Sequence, residues 1–204
     1  MPFKFSLNSF ALNNTRAVHE DTDYVVLALT VNGVSPFPPL AQRAGNVNNE
    51  TYNIKDMDFL LDSISENDKL VLSYLVINHG GGKPEAVLTA CQNAMTQTAL
   101  KTFNATFATP VETQGRSLPD GLTTTLRAKD DMITLWDLVK SQFAGLSTDH
   151  CDGPVAIDRI SFLGSSVSAI ESISPVSIIY EGMDSGTGCG SNSRYSVQWS
   201  ISAV

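Results

Sequence analysis

The sequence predicts a mainly β protein, an antiparallel β-sandwich with a helical insertion. Three observations predict it. Both ends of the chain alternate apolar and polar residues with the two-residue period of a half-buried strand. Two longer runs, Tyr24 to Val31 and Lys69 to Asn78, are almost continuously apolar, as strands covered on both faces are. Helical spacing is confined to the middle of the chain, so the order is strands, helices, strands rather than a βαβ alternation. The competing arrangement is α+β, with two helices packed on one antiparallel sheet.

The C-terminal strand is the clearest element. From Arg194 to Ser202, Tyr195, Val197, Trp199 and Ile201 alternate with Ser196, Gln198, Ser200 and Ser202. Near the start, Phe3, Phe5 and Leu7 alternate with Lys4, Ser6 and Asn8, and the phase slips before Phe10 and Leu12, which predicts a bulge. Asn32-Gly33 ends the Tyr24–Val31 strand. With Pro36, Pro38 and Pro39, the stretch from Val34 to Ala44 reads as a loop. A short strand is expected at Thr51 to Ile54, and Asn67-Asp68 marks the turn into the Lys69–Asn78 strand.

Pro84 suits the first turn of a helix, where its missing N–H is no loss. Behind it Val87, Leu88, Cys91, Ala94, Met95 and Ala99 keep helical spacing, fading near Phe103 to Thr109. Pro110, Gly115, Pro119, Asp120 and Gly121 make a loop, and Leu122 to Ala128 a strand candidate. Asp130 then reads as the N-cap of a second helix with Met132, Leu135, Trp136, Val139 and Phe143 on its apolar stripe. Val155 to Leu163 and Val176 to Tyr180 return to strand character, with Ile170 and Ile173 in a Ser-rich connection between them. The expected organisation is one sandwich domain over residues 1–204, with 84–146 as its mostly helical insertion.

Composition narrows the function. The chain has 204 residues, a formal net charge of −8 and 42% hydrophobic residues, so it buries a proper core and is not disordered throughout. Its 13 basic residues are dispersed, which argues against nucleic acid as a partner. No apolar run approaches the roughly 18–20 residues that span a bilayer, and Met1 to Ser6 shows no signal-peptide pattern. The expectation is a soluble protein, extracellular or cytoplasmic. Acidic residues concentrate between Glu20 and Asp68, against Arg43 and Lys55 alone; this stretch would attract a cation or a basic partner. Of the three cysteines, Cys91 sits in the helical pattern and reads as a small buried hydrophobe. Cys151 and Cys189 lie in turn-rich contexts, either as one disulfide of an oxidising compartment or as two free thiols.

Two clusters are candidate sites. Asp21 and Asp23, beside His19 and Glu20, are spaced so that both carboxylates can turn to one point, and Asp56 and Asp58 form a second such pair. Oxygen donors from loops are what Ca²⁺ takes, so these four aspartates are the candidate metal ligands and Ca²⁺ the cofactor they imply, although the EF-hand spacing is absent. The competing reading is that they cap turns. The second cluster is His79-Gly80-Gly81-Gly82-Lys83-Pro84. Consecutive glycines before a helix let backbone N–H groups approach a ligand, making His79, Gly80, Gly81 and Lys83 the candidate ligand-binding residues. Such a loop forms the oxyanion hole of some esterases, but no Gly-x-Ser-x-Gly elbow is present, and Gly164-Ser165-Ser166-Val167-Ser168 lacks the second glycine. The phosphate-loop pattern fails because Pro84 follows Lys83. No Cys or His pair has zinc-site spacing, and His150 beside Cys151 would make a thiolate–imidazole pair only with unusual geometry, since sequence neighbours point apart. Asn13, Asn49 and Asn104 each begin an Asn-x-Ser/Thr tripeptide, which matters only in a eukaryotic secretory path.

With no catalytic motif passing its context test, the sequence favours a non-catalytic binding or interaction module rather than an enzyme. Its acidic loops would meet a glycan or a protein partner, with calcium assisting. The rivals are a hydrolase working near His79–Gly82, and a structural subunit of an oligomer that pairs through the edge of Tyr24–Val31 or of the terminal strand.

Overall fold

In the computed structural model the described residues are 1–15, 21–108, 123–124, 137, 141–142, 151–181 and 193–204. Among the described residues, ten strands form two antiparallel sheets. The first joins β4 (Thr51–Asn53), β1 (Phe3–Asn14), β10 (Arg194–Ala203) and β9 (Val176–Glu181) in that order, with β5 (Asp58–Leu61) also paired to β1. The second has the order β3 (Leu40–Val47), β2 (Asp21–Val31), β6 (Lys69–Asn78), β8 (Gly153–Leu163) and β7 (Thr123–Thr124). Helix α1 (Pro84–Ala108) lies on the far side of the second sheet, and the short helix α2 (Val167–Ile173) links β8 to β9.

The parity of the side chains explains this layering. In β10, Tyr195, Val197, Trp199 and Ile201 are buried and the intervening Ser196, Gln198 and Ser200 half-buried, because only one face of the first sheet is covered. In β2 every residue from Tyr24 to Leu29 is buried. Val25, Leu27 and Leu29 enter the core between the sheets, while Tyr24, Val26 and Ala28 join Val87, Ala90, Cys91, Ala94 and Met95 of α1. β6 divides in the same way, with Leu72, Tyr74 and Val76 inward and Leu75 and Ile77 toward the helix. The second sheet is thus a middle layer, which is why its strands read as unbroken apolar runs.

The bulge expected in β1 falls between Leu7 and Ser9, where the register against β10 shifts. It restores Phe10 and Leu12 to the core face. The Asn32-Gly33 turn has φ of 51° and 83°, left-handed at both central positions as a tight hairpin requires. Asn32 then ties it across, accepting from Lys69 N at 2.9 Å and donating to Asp68 at 2.8 Å.

One expectation needs correction, and the sequence reading misses two elements, β5 and α2. Val34–Ala44 is not a loop throughout: β3 begins at Leu40, directly after the last proline, and pairs with β2 from Leu27 to Asp21. As an edge strand it is mostly half-buried, and a register shift opposite Asp23/Tyr24, beside Gly45 at φ 92°, breaks any alternation. β5 was too short to show a period. Ile170 lies in α2, not in an irregular connection, where with Val167 it is buried on one face. Of the second expected helix, Asp137 and Ser141–Gln142 are helical and the remaining residues lie outside those described.

Trp199, fully buried in the core between the sheets, is the sharpest test of this packing. Trp199→Ala should lower unfolding free energy by about 3–5 kcal/mol, read as a shift in urea midpoint with a native-like far-UV spectrum.

Candidate functional site

The glycine loop leaves the end of β6 at one rim of the sandwich, and the residues before it are tied down on both sides. Asn78 accepts from Thr22 N at 2.9 Å and donates to the Cys151 carbonyl at 3.2 Å. The His79 N–H donates to the Thr22 carbonyl at 2.9 Å. His79 Nδ1 stands 2.7 Å from Asp152 Oδ2, an ion-pair distance, with both side chains buried. The other Asp152 oxygen accepts from Gly80 N at 2.9 Å. One carboxylate therefore holds both the ring and the backbone at the start of the loop, and it is delivered by the residue just before β8. Past this anchor the chain emerges: Gly80, Gly82 and Lys83 are exposed and Gly81 is half-buried. Gly82 has φ of 81°, left-handed backbone that glycine adopts without strain. Lys83 then ends the loop by accepting from Ala86 N and Val87 N in the first turn of α1.

His79 itself is fully buried. Its ring packs at 6.5 Å from the ring of Tyr24, on the helix-facing side of the middle sheet. A general acid or base must come within hydrogen-bond reach of its substrate. In this arrangement His79 positions the loop rather than facing solvent from it. Cys151, adjacent to Asp152, is disulfide-bonded. Cys91 is free. The partner named for Cys151 from the sequence, Cys189, lies outside the described residues, as do His19 and His150.

The structure does not bring the two aspartate pairs together. Asp23 is fully buried and accepts from the Tyr195 hydroxyl at 3.0 Å, inside the sandwich. Asp58 is exposed on β5, opposite Ser6, which is itself opposite Ser200 on β10. Five residues of β10 separate Tyr195 from Ser200, roughly 17 Å of strand, whereas oxygens sharing one Ca²⁺ lie at about 2.3–2.6 Å from it. Asp56 is exposed in the turn before β5 with φ of 56°, and Asp21 opens β2 opposite Val47. Among the described residues no group of three or more His, Cys, Asp or Glu side chains could hold a metal ion. Asp23 is therefore a core hydrogen-bond acceptor and Asp56 and Asp58 are surface residues, so Asp23 and Asp58 do not share one ion as the sequence reading expects; of Asp21 only its place at the start of β2 is described.

Residues that the motif reading passed over carry the more developed polar chemistry. Asp158, fully buried in β8, accepts from the Tyr180 hydroxyl of β9 at 2.8 Å and from Arg159 N at 2.8 Å. The Tyr74 hydroxyl of β6 meets that of Tyr180, extending the chain across the core. Tyr195–Asp23 and Tyr180–Asp158 are thus two links between the sheets, each with its phenol on the first sheet and its carboxylate on the second. The signal that could have found Asp158 is its parity, since it shares the inward face of β8 with Ala156, Ile160 and Phe162. Its tyrosine partner carries no such signal, because that pairing is set by how the sheets stack.

No protein-family model matches the chain, and no curated protein matches it either.

Two measurements check this assignment. Tyr195→Phe leaves Asp23 short of a buried donor and should cost about 1–3 kcal/mol, much of it recovered when Asp23→Leu is added, by chemical denaturation of both variants. Burial pushes the Cys91 thiol up to about 12, so peptide mapping should find Cys91 unalkylated by iodoacetamide in the native protein at pH 8 and alkylated after unfolding.

Proposed function

We propose that this protein is a non-catalytic binding module that meets a glycan or protein partner with the loops at one rim of its sandwich. The observation that carries the reading is the anchored loop. Asn78, His79 and Asp152 are buried and bonded, while Gly80, Gly82 and Lys83 just beyond them are exposed. A loop held at its base loses less freedom on binding, so more of its contact energy appears as affinity. The bonded Asn78–Cys151 and His79–Thr22 pairs bring three segments to this rim: the start of β2, the end of β6 and the approach to β8.

The rival readings lose support. A hydrolase near His79–Gly82 needs a ring that reaches substrate, and His79 is fully buried. An assembly paired through the Tyr24–Val31 strand or the terminal strand needs a free edge there. β2 lies between β3 and β6, and β10 between β1 and β9, so each is paired on both sides over most of its length. Calcium drops out of the reading with the separation of the aspartate pairs. No helix among the described residues is long and apolar enough to cross a membrane. The Cys151 disulfide supports an oxidising compartment as the place where the module works.

The test is a binding screen on immobilised oligosaccharides and candidate proteins, with Lys83→Glu and Gly81→Val as rim variants. Binding that falls about tenfold or more in both, roughly 1.4 kcal/mol, at unchanged melting temperature supports the rim. Melting should be the same in EDTA and in CaCl₂, since a bound ion would raise it. Ester or glycoside turnover that disappears in a folded His79→Ala variant would overturn the binding reading in favour of the hydrolase.

A further inference from the structure

We propose that Asn49 is an N-linked glycosylation site, with Asn13 a second acceptor beside it. Both asparagines begin an Asn-x-Thr tripeptide, Asn49-Glu50-Thr51 and Asn13-Asn14-Thr15. The structure adds what the tripeptides alone lack. Asn49, Glu50 and Thr51 are all exposed, in the turn between β3 and β4, and Asn13 is exposed near the end of β1. The Leu12 N–H donates to the Glu50 carbonyl at 2.9 Å and Ala11 pairs with Thr51, so the two acceptors stand on neighbouring segments of one rim. Asn49 has φ of 41°, a left-handed conformation that asparagine tolerates and that leaves it at the apex of the turn. The Cys151 disulfide is an independent observation, because it points to the oxidising lumen in which this transfer takes place.

The donor is a polyprenyl-diphosphate-linked oligosaccharide. The Asn49 side-chain amide nitrogen attacks the anomeric carbon, and a C–N bond forms as the C–O bond to the diphosphate breaks. The amide gives up one proton, and the diphosphate leaves with the electron pair of the broken bond. The hydroxyl of Thr51, two residues on, completes the tripeptide that the transferring enzyme reads.

The position gives the sugar a physical consequence. β3 and β4 are edge strands of the two different sheets, and the turn bearing Asn49 joins them. Unpaired edges are where sheets add foreign strands, and a bulky hydrated chain at that corner blocks such approach. The anchored glycine loop rises from β6, two strands from β3 in the same sheet and so roughly 10 Å away at its base. The assignment rests on the tripeptide, its exposure and the disulfide, and not on whether that loop binds a partner.

The experiment is secretion of the full chain from a eukaryotic host behind a cleavable leader, followed by glycopeptide mass spectrometry and treatment with peptide N-glycosidase. The expected result is a glycan on Asn49, lost as one step of electrophoretic mobility in Asn49→Gln and equally in Thr51→Ala. The second variant keeps Asn49 and its turn, so it separates loss of the acceptor from loss of the fold. Asn13→Gln should remove a further step. A secreted, disulfide-bonded wild-type chain whose Asn49 peptide is unmodified, or a Thr51→Ala variant that keeps every glycan, overturns the proposal.

Discussion

The architecture depends on one constraint: the second sheet must hide both of its faces. β2 and β6 carry apolar side chains on both parities, so a two-layer protein would leave one set in water. The first sheet covers one face and α1 the other, each over a different set of residues of the same strands. Once that middle layer exists, the rest is constrained. The chain must leave it at the end of β6 to build the helix and re-enter at β8, beside the strand it left. Exit and re-entry therefore meet at one rim, where Asn78 and Cys151 are hydrogen-bonded and His79 and Asp152 are paired.

Burying a layer on both sides also decides what its polar residues do. A carboxylate inside such a core needs donors, since desolvation without them is costly. Asp23 and Asp158 find theirs in tyrosines of the facing sheet, so each acid contributes to the relative placement of the two sheets. A slip of one residue in either sheet would point these groups away from one another. The links therefore add specificity to a core whose bulk attraction is non-directional. The same logic explains why Asp152 sits where it does. It accepts from the Gly80 N–H and pairs with the buried His79 ring where the chain turns from strand to loop.

How much was legible in the sequence follows from how local each cause is. β10, β6 and the start of α1 were readable because period, apolar runs and Pro84 act within a few neighbouring residues. The slip in β1 showed too, since a bulge displaces the pattern by one residue wherever it occurs. β3 was hidden because prolines next to it signal a break, while its own residues, half-exposed at an edge, carry no period. The site fared worse. The glycine loop was identifiable, but the burial of His79 depends on Tyr24 from another strand and on Asp152, seventy-three positions later. Asp21–Asp23 and Asp56–Asp58 looked alike in sequence. Parity within a strand sends Asp23 inward, and register against β1 puts Asp58 outward, so the likeness does not survive folding.

These features together bear on where the proposed recognition would take place. The covered faces of the sandwich are occupied by packing, and Asp23, Tyr195, Asp158, Tyr180 and Tyr74 inside it are bonded to one another across the sheets. The outer face of the first sheet carries Ser196, Gln198 and Ser200 along β10, with Lys4, Leu60 and Ile179 on the strands beside it. It is a regular pleated surface, set by the alternation of the strands. The rim differs in kind, because there the chain turns and changes direction over a base that is rigidly bonded. Loops on a rigid scaffold are where folds of this sort place function. On the proposed binding reading, the bonds that bury His79 also give the loop above it a fixed start, and shape held in advance favours binding.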